Sequence, residues 1–101
     1  MKNFGLSERD IHTIENIFQR YPLVKKVQIF GSRSKATQNP GSDIDLAIMD
    51  KGVSFDDLLH MKSDFEESNL PYEVDLVYYP TLKHQELKAH IDRVGTILYL
   101  A

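Results

Sequence analysis

Three acidic residues lie within apolar runs that predict buried strands. Asp43 and Asp45 open the run DIDLAIM, and Asp75 interrupts a second run, YEVDLVYY. Because side chains alternate between the two faces of a strand, Asp43 and Asp45 point to the same side, roughly 7 Å apart. Two like charges repel at that distance, and the repulsion grows when the site loses water. The pattern therefore predicts a positively charged partner for these carboxylates.

A divalent cation would turn this repulsion into attraction. Mg²⁺ prefers oxygen ligands and keeps waters and substrate phosphates in its shell, so two or three carboxylates suffice to hold it. If the strand of Asp75 neighbours the strand of Asp45, the three acids form a triad. Two ions about 3.5–4 Å apart could then hold the attacking and the leaving oxygen of a phosphoryl displacement. The alternatives are a turn-forming role for Asp43 and an exposed edge position, or a lysine partner, for Asp75.

A phosphate site is predicted just upstream of the acids. Gly31 and Ser32 directly follow an apolar strand. Glycine lets the backbone approach a ligand, and amides at a helix start favour anions. Arg33 and Lys35 could bind phosphate oxygens, and Ser42 could contact a phosphate or a metal-bound water. The alternatives are a plain turn at Gly31 and Ser32, surface charges for the two cations and loop capping for Ser42. A phosphate site beside a magnesium site is the minimum for chemistry on a nucleoside triphosphate.

Helices and strands that alternate along the chain must bring these residues together. The periodicity of apolar residues predicts, in chain order, a helix over 7–21, a strand over 27–30, one helical turn over 32–36, a polar loop over 37–42, a strand over 44–49, a helix over 55–68, a strand over 72–79, a helix over 81–94 and a short strand over 96–100. Ser7 and Thr81 are the predicted N-caps of the first and last helices, Asp10 completes a capping box, and Gly95 stops the last helix. This order favours an α+β fold with helices layered on one small sheet.

The first two long helices each show an apolar side. The residues on it are Ile11, Ile14, Ile17, Phe18 and Tyr21 in the first helix and Phe55, Leu58, Leu59 and Phe65 in the second. This spacing predicts that both helices pack against the sheet.

Size and composition narrow the class of protein. The 101 residues are expected to form one domain, 1–101, with an ordinary globular balance of 42% hydrophobic and 27% charged residues. A net charge of −3 disfavours general binding to nucleic acid. The absence of cysteine excludes disulfides and thiolate metal sites. No run resembles a signal peptide or the roughly 20 apolar residues of a membrane span, so a cytoplasmic location without membrane contact is expected.

The spacing of the candidate residues also resembles a known signature. Gly31 and Ser32, then ten residues, then Asp43-Ile44-Asp45 resemble the motif of the DNA polymerase β-like nucleotidyltransferase superfamily. With Asp75 as a later carboxylate, the short chain is similar to a minimal nucleotidyltransferase (MNT) domain, and its ending HIDRVGTILYL is similar to the close of such domains. The resemblance covers essentially the whole chain. It implies the polymerase β-like fold, a small mixed sheet with helices packed against it.

The resemblance further implies a reaction. Asp43 and Asp45 would ligate two Mg²⁺ ions, and Asp75 would ligate the ion that activates the acceptor hydroxyl and could serve as its base. Gly31 and Ser32 would hold the triphosphate of ATP or another nucleotide. The acceptor would attack the α-phosphorus, with loss of pyrophosphate and transfer of a nucleoside monophosphate.

The resemblance also suggests a partner. MNT proteins are often encoded beside an all-helical HEPN protein, and in some toxin–antitoxin pairs the MNT antitoxin adenylylates a tyrosine of the HEPN toxin. The expected function is therefore transfer of AMP to a HEPN-type partner in a hetero-oligomer. The alternative is a non-catalytic module that neutralises its partner by stoichiometric binding. Adenylylation of a small molecule is disfavoured, because the chain lacks an additional acceptor domain.

Overall fold

The computed structural model describes residues 4–39 and 41–101. Within these residues, three α-helices alternate with four strands in nearly the predicted order. They are α1 (Glu8–Gln19), β1 (Lys26–Phe30), β2 (Ile44–Ile48), α2 (Phe55–Glu66), β3 (Val74–Tyr78), a 3₁₀ turn (Tyr79–Thr81), α3 (Gln85–Val94) and β4 (Thr96–Leu100). No helix in these two ranges is long and apolar enough to cross a membrane.

The strands form one mixed sheet in the order β3-β2-β1-β4. β1 lies at the centre and pairs antiparallel with both β2 and β4. β2 and β3 run parallel, as two strands joined by a crossover helix must, and α2 is that crossover. The predicted α+β arrangement, a small mixed sheet with packed helices, is confirmed.

The larger core lies between one face of the sheet and the helices α1 and α2. It contains the buried face of β2, Ile44, Leu46 and Ile48. In α1 the predicted apolar side is buried at Ile14, Ile17 and Phe18, while Ile11 and Tyr21 pack against its edge. Phe18 meets Phe65 of α2 edge to face, with ring centroids 5.4 Å apart. This core therefore joins both helices to the sheet.

The start of α1 follows the predicted capping box. The Ser7 hydroxyl accepts a hydrogen bond from the Asp10 amide at 3.0 Å, and the Asp10 carboxylate accepts one from the Ser7 amide at 3.2 Å. These two bonds satisfy amides that have no partner within the helix. They fix where α1 begins and hence where its apolar side faces.

The opposite face of the sheet is covered by α3 over part of its length. Phe30, Ala47 and Ile91 form a smaller buried cluster there, flanked by half-buried residues that include Val77 and Tyr79. Gly95 ends α3 as predicted: its amide donates to the Ile91 carbonyl at 2.8 Å. The site described below lies on this face of the sheet.

Several sequence-based expectations need correction. Residues 32–36 form hydrogen-bonded turns without a helix. The last helix is capped by His84, whose Nδ1 accepts from the Leu87 amide at 3.1 Å, because Thr81 belongs to the preceding 3₁₀ turn. In α2, Phe55 is 72% and Leu59 46% exposed, so only part of its predicted apolar side packs inward. The predicted loop over 37–42 includes Pro40, which lies outside the described residues.

Candidate active site

Asp45 and Asp75 are direct neighbours on parallel strands. In the register of β2 and β3, Asp45 pairs with Asp75, and in that of β1 and β2, Phe30 pairs with Asp45. Neighbouring strands lie about 4.8 Å apart, and in-register residues of parallel strands share a face. The three residues thus form one row across the sheet, with Asp45 half-buried at its centre and Asp75 exposed at its edge. The condition for a carboxylate triad, adjacent strands, is met.

Asp43 lies just before β2 and is exposed. Its charge acts on Asp45: burial raises the pKa of the Asp45 carboxyl, and the negative charges of Asp75 and Asp43 raise it further. The nearby Arg33 guanidinium has the opposite, smaller effect on this pKa. Since Asp75 and Asp43 both disfavour the ionised form of Asp45, a cation at this position would relieve the repulsion.

Gly31 brings the backbone against this cluster. It follows β1 directly and has a φ of +76°, a conformation that favours glycine. A Cβ atom at this position would overlap a carboxylate oxygen of Asp45. A residue without a side chain is therefore required here, and the backbone at the end of β1 stays in close contact with Asp45.

A closed turn follows Gly31 where a helical turn was predicted. The Thr37 amide donates to the Ser32 carbonyl at 2.9 Å, and the Ala36 amide donates to the Arg33 carbonyl at 3.3 Å. Ala36 has a φ of 59°. This pair of bonds around a left-handed residue is the pattern with which helices commonly end. The phosphate site predicted at Gly31 and Ser32 thus lies at a tight turn, and the helix N-terminus expected to support it is not formed.

Arg33 points inward from this turn. Its side chain is only 3% exposed, which corrects the alternative of a surface charge. Nη2 donates to the Ser42 carbonyl at 2.7 Å, Nη1 donates to the Phe4 carbonyl at 2.9 Å, and Nε reaches the Ser42 and Asp43 carbonyls at 3.2 and 3.3 Å. The guanidinium also lies 4.5 Å from the centre of the Tyr72 ring. Direct contact of Arg33 with a phosphate stays a prediction.

Ser42 closes the loop that leads into Asp43. Its hydroxyl accepts from the Asn39 amide at 2.9 Å, and its own amide donates to the Asn39 carbonyl at 3.0 Å. This geometry matches the loop-capping alternative for Ser42. Lys35, the second candidate cation, is exposed.

Comparison with known proteins identifies the family. Residues 12–101 match the family described as "Polymerase beta, Nucleotidyltransferase". The chain belongs to this nucleotidyltransferase family. The Haemophilus influenzae protein named "Probable protein adenylyltransferase MntA" is 32% identical over 77 residues, which cover 75% of this nucleotidyltransferase and 68% of the relative. The resemblance to a minimal nucleotidyltransferase is confirmed.

Solved structures share the fold of this nucleotidyltransferase. A toxin–antitoxin crystal structure with AMP-PNP matches with a TM-score of 0.73 and 23% identity, over 91% of this chain and 74% of that one. A crystal structure of the toxin–antitoxin pair MntA-HepT matches with a TM-score of 0.68 and 18% identity, over 94% of this chain and 74% of that one. At these identities the likeness supports the fold.

The acids of the nucleotidyltransferase suit Mg²⁺ by their chemistry. Carboxylate oxygens are the ligands this ion prefers, and it commonly takes one or two of them together with waters and substrate phosphates. Among residues 4–39 and 41–101, no three His, Cys, Asp or Glu side chains gather closely enough to hold an ion by themselves. That Asp43, Asp45 and Asp75 ligate Mg²⁺ stays a prediction.

The contact between Arg33 and Tyr72 beside this site was not predicted from the sequence. Tyr72 packs against the larger core, and its ring centre also lies 4.5 Å from the Arg33 guanidinium. For Arg33 the sequence offered a phosphate contact or an exposed surface charge, and neither reading predicted that the side chain is buried. These two residues are 39 positions apart and meet only in the folded chain, so no local spacing could have indicated the contact.

Proposed function

We propose that this nucleotidyltransferase transfers AMP from ATP to a HEPN-type toxin and thereby acts as the antitoxin of a toxin–antitoxin pair. The observation that carries the proposal is the in-register pair of Asp45 and Asp75, beside which Gly31 brings the backbone into contact. Support comes from the name of the Haemophilus influenzae relative and from the toxin–antitoxin complexes that share the fold. The presence of AMP-PNP in one of those complexes supports ATP as the nucleotide.

Five of the candidate residues have roles in this proposal. Asp43 and Asp45 would hold two Mg²⁺ ions, and Asp75 would contribute a further carboxylate to one of them. Gly31 and Ser32 hold the triphosphate at the turn after β1, where the absence of a side chain leaves room for a close approach. Bound Mg²⁺ would neutralise charge on the triphosphate and the acids alike.

The chemical step is a displacement at phosphorus. The acceptor hydroxyl oxygen forms a bond to the α-phosphorus, while the bond from that phosphorus to the oxygen bridging to the β-phosphate breaks. The proton of the hydroxyl passes to a carboxylate oxygen of Asp75, and pyrophosphate leaves with the bonding electron pair. Asp75 is exposed at the edge of the sheet, so an acceptor can reach it from solvent.

A protein acceptor suits this exposed arrangement. Asp43 and Asp75 both lie at the surface, and Asp45 is half-buried. A macromolecule can present a tyrosine hydroxyl to such a surface, whereas a small acceptor would need walls to hold it. The proposal therefore includes a hetero-oligomer with the toxin in the cytoplasm, where ATP is supplied.

Label transfer tests the proposal. The purified chain, Mg²⁺ and α-labelled ATP are added to host-cell extract, with the double variant Asp43→Asn/Asp45→Asn in parallel. Asp56→Asn, an exposed acid at the start of α2, is the matched control. We expect one labelled protein band with the wild type and with Asp56→Asn, and none with the double variant. An equal band with the double variant would contradict the proposal.

The stoichiometric alternative is separated by a second measurement. If the chain neutralises its partner by covering it, the double variant will still suppress the partner's activity at an equimolar ratio. If catalysis is required, the double variant will bind the partner but fail to suppress it. Binding is checked by co-purification in both cases, so loss of suppression cannot be confused with loss of the complex.

A further inference from the structure

The most extensively bonded cation of the described chain is buried behind the candidate active site. Arg33 donates hydrogen bonds to three backbone carbonyls and contacts an aromatic ring, yet a nucleotide is not needed to explain any of these contacts. We propose that Arg33 is a positioning residue, whose guanidinium fixes the backbone at Asp43 relative to the strand that carries Asp75. This inference rests on the proposed function, because it concerns the geometry of the same site.

The first contact set holds the loop before β2. Nη2 and Nε both donate to the Ser42 carbonyl, and Nε also reaches the Asp43 carbonyl. These two carbonyls belong to the peptide units on either side of the Asp43 Cα atom. Fixing both units fixes the direction in which the Asp43 side chain leaves the backbone, even though that side chain is exposed.

The second contact holds the approach to β3. The Tyr72 ring, 4.5 Å from the guanidinium, lies two residues before β3 and three before Asp75. The same segment is tied to β2 by the Ile44 amide, which donates to the Glu73 carbonyl at 2.9 Å. Arg33 therefore lies between the segment that delivers Asp43 and the segment that delivers Asp75, and it contacts both.

The third contact joins Arg33 to the N-terminal segment of the chain. Nη1 donates to the Phe4 carbonyl at 2.9 Å, and Phe4 and Gly5 have consecutive positive φ values of 59° and 73°. A positive φ is uncommon for phenylalanine and persists only where the surroundings hold it. The bond to Arg33 is one such restraint, and it leaves the guanidinium enclosed by backbone.

Arginine is the side chain that can do this. Its planar group presents several N–H donors in a fixed fork and can lie flat on an aromatic ring, whereas a lysine ammonium is a single, strongly hydrated point charge. A lysine at this position keeps the positive charge but cannot bond the Ser42, Asp43 and Phe4 carbonyls together. Arg33→Lys therefore separates charge from geometry.

The test measures metal binding directly. Mn²⁺ is titrated into each protein at fixed ATP and followed by electron paramagnetic resonance, with a titration of ATP alone subtracted because ATP itself binds Mn²⁺. Transfer of label from α-labelled ATP to the acceptor is measured alongside. Arg33→Lys is expected to raise the Mn²⁺ concentration for half-saturation by about 10-fold, the range found for residues that orient metal ligands. Tyr72→Leu, which removes the ring and keeps an apolar side chain, is expected to raise it by a smaller factor. Arg93→Lys, an exposed arginine of α3, is the matched control and should leave it unchanged.

A nucleotide ligand would behave differently from a positioning residue. If Arg33 contacts the triphosphate, Arg33→Lys will weaken ATP binding in EDTA and leave the Mn²⁺ requirement unchanged, and this result would overturn the inference. An unchanged Mn²⁺ titration with only a lower melting temperature would overturn it as well, since it would show a purely structural role. If Arg33→Lys does not fold, an unchanged titration of Tyr72→Leu serves as the contradicting result.

The proposed function fails in a distinguishable way. Should the wild type neither bind Mn²⁺ with ATP nor transfer label, the proposed function and the inference that rests on it are both overturned. Should the wild type bind and transfer while Arg33→Lys titrates identically, the inference alone is overturned.

Discussion

The five residues of β2 alternate between two faces of the sheet, and the two faces have different environments. On one face Ile44, Leu46 and Ile48 are completely buried beneath α1 and α2. On the other face Ala47 is buried beneath α3, but Asp45 is only half-buried. The difference follows from the helices, because α1 and α2 cover the first face and α3 alone covers the second.

Because of this contrast, we expect one face of β2 to contribute mainly to stability and the other mainly to activity. The fully covered face contains no ionisable group of β2 and contributes hydrophobic burial. The partly covered face holds a carboxylate whose charge the fold itself disfavours. Substitutions on the first face should therefore cost stability, and substitutions on the second should cost activity while costing little stability or even increasing it.

The largest loss of stability is expected on the covered face. Leu46 has no exposed surface, and Leu46→Ala should lower the free energy of unfolding by about 3 kcal/mol through lost burial and a residual cavity. Urea denaturation measures the change. Leu59→Ala on the outer side of α2, where Leu59 is 46% exposed, is the control and should change stability by less than about 0.5 kcal/mol. A loss below that control value for Leu46→Ala would show that the covered face does not carry the stability.

A smaller loss is expected where the second face meets the backbone. Gly31→Ala should lower the free energy of unfolding by about 2 kcal/mol, because its φ of +76° is strained for alanine and its Cβ would overlap Asp45. Gly52 offers a matched control: its φ is +86° and nothing lies within 4 Å of an added Cβ. Gly52→Ala should therefore cost only the backbone part, about 1 kcal/mol. Equal losses for both variants would show that the contact with Asp45 is unimportant.

The alternation of side chains was the most informative feature of the sequence. It predicted which residues of β2 point into the core and which lie on the face with Asp45, because a period of two leaves only two arrangements. The Ser7 capping box and the Gly95 stop were also predicted, since each depends on neighbours within three or four residues. Local rules therefore gave the facing of the acids on β2 and most of the helices and strands, whereas the pairing of Asp45 with Asp75 was only a condition until the register of β2 and β3 supplied it.

Contacts between distant segments were beyond such rules. The cap of α3 moved from Thr81 to His84 because the chain first makes a 3₁₀ turn at the end of β3. The burial of Arg33 depends on Phe4 and Tyr72, which reach it from opposite directions along the chain. In each case several local arrangements were possible, and tertiary packing selected one.

An increase in stability is expected from removing the charge of the site. Burial and neighbouring acids raise the pKa of Asp45, so the folded state binds a proton more readily than the unfolded state. At neutral pH the carboxylate is therefore a net cost, and the cost disappears as the pH falls through the folded pKa. Asp45→Asn should raise the free energy of unfolding at pH 7 in EDTA, and it should abolish transfer when Mg²⁺ is supplied.

The control for this prediction is Asp56→Asn on the exposed start of α2, which should change neither quantity appreciably. Thermal denaturation at pH 7 and pH 4 provides the measurement, and the advantage of Asp45→Asn should shrink at the lower pH. A destabilised Asp45→Asn variant would mean that the carboxylate makes favourable contacts that outweigh its repulsion.

The smallest effect is expected at the tyrosine–aspartate pairs that tie helices over the two faces. Above the covered face, Tyr21 donates to Asp64 of α2 at 2.5 Å, and burial first, then this bond and the Asp64 charge, raise the pKa of Tyr21 to about 12. Since the unfolded tyrosine ionises near its ordinary pKa of 10.0, the stabilisation is complete below pH 10 and is lost as the pH rises toward 12. Tyr21→Phe should cost about 1 kcal/mol at pH 8, after allowance for solvent screening, and nothing at the alkaline end.

The matching pair on the other face is Tyr79, which donates to Asp92 of α3 at 2.6 Å. The bond to Asp92 is the main cause that raises the pKa of Tyr79, with smaller contributions from burial and from the Asp92 charge. Because Asp92 is exposed and solvent reaches this bond, Tyr79→Phe should show a weaker alkaline dependence than Tyr21→Phe. Urea denaturation from pH 8 to pH 11 compares the two. An equal pH dependence in both variants would mean that the Tyr79–Asp92 bond is as well protected from water as the Tyr21–Asp64 bond. The contrast between the two faces would then be limited to the residues of the sheet.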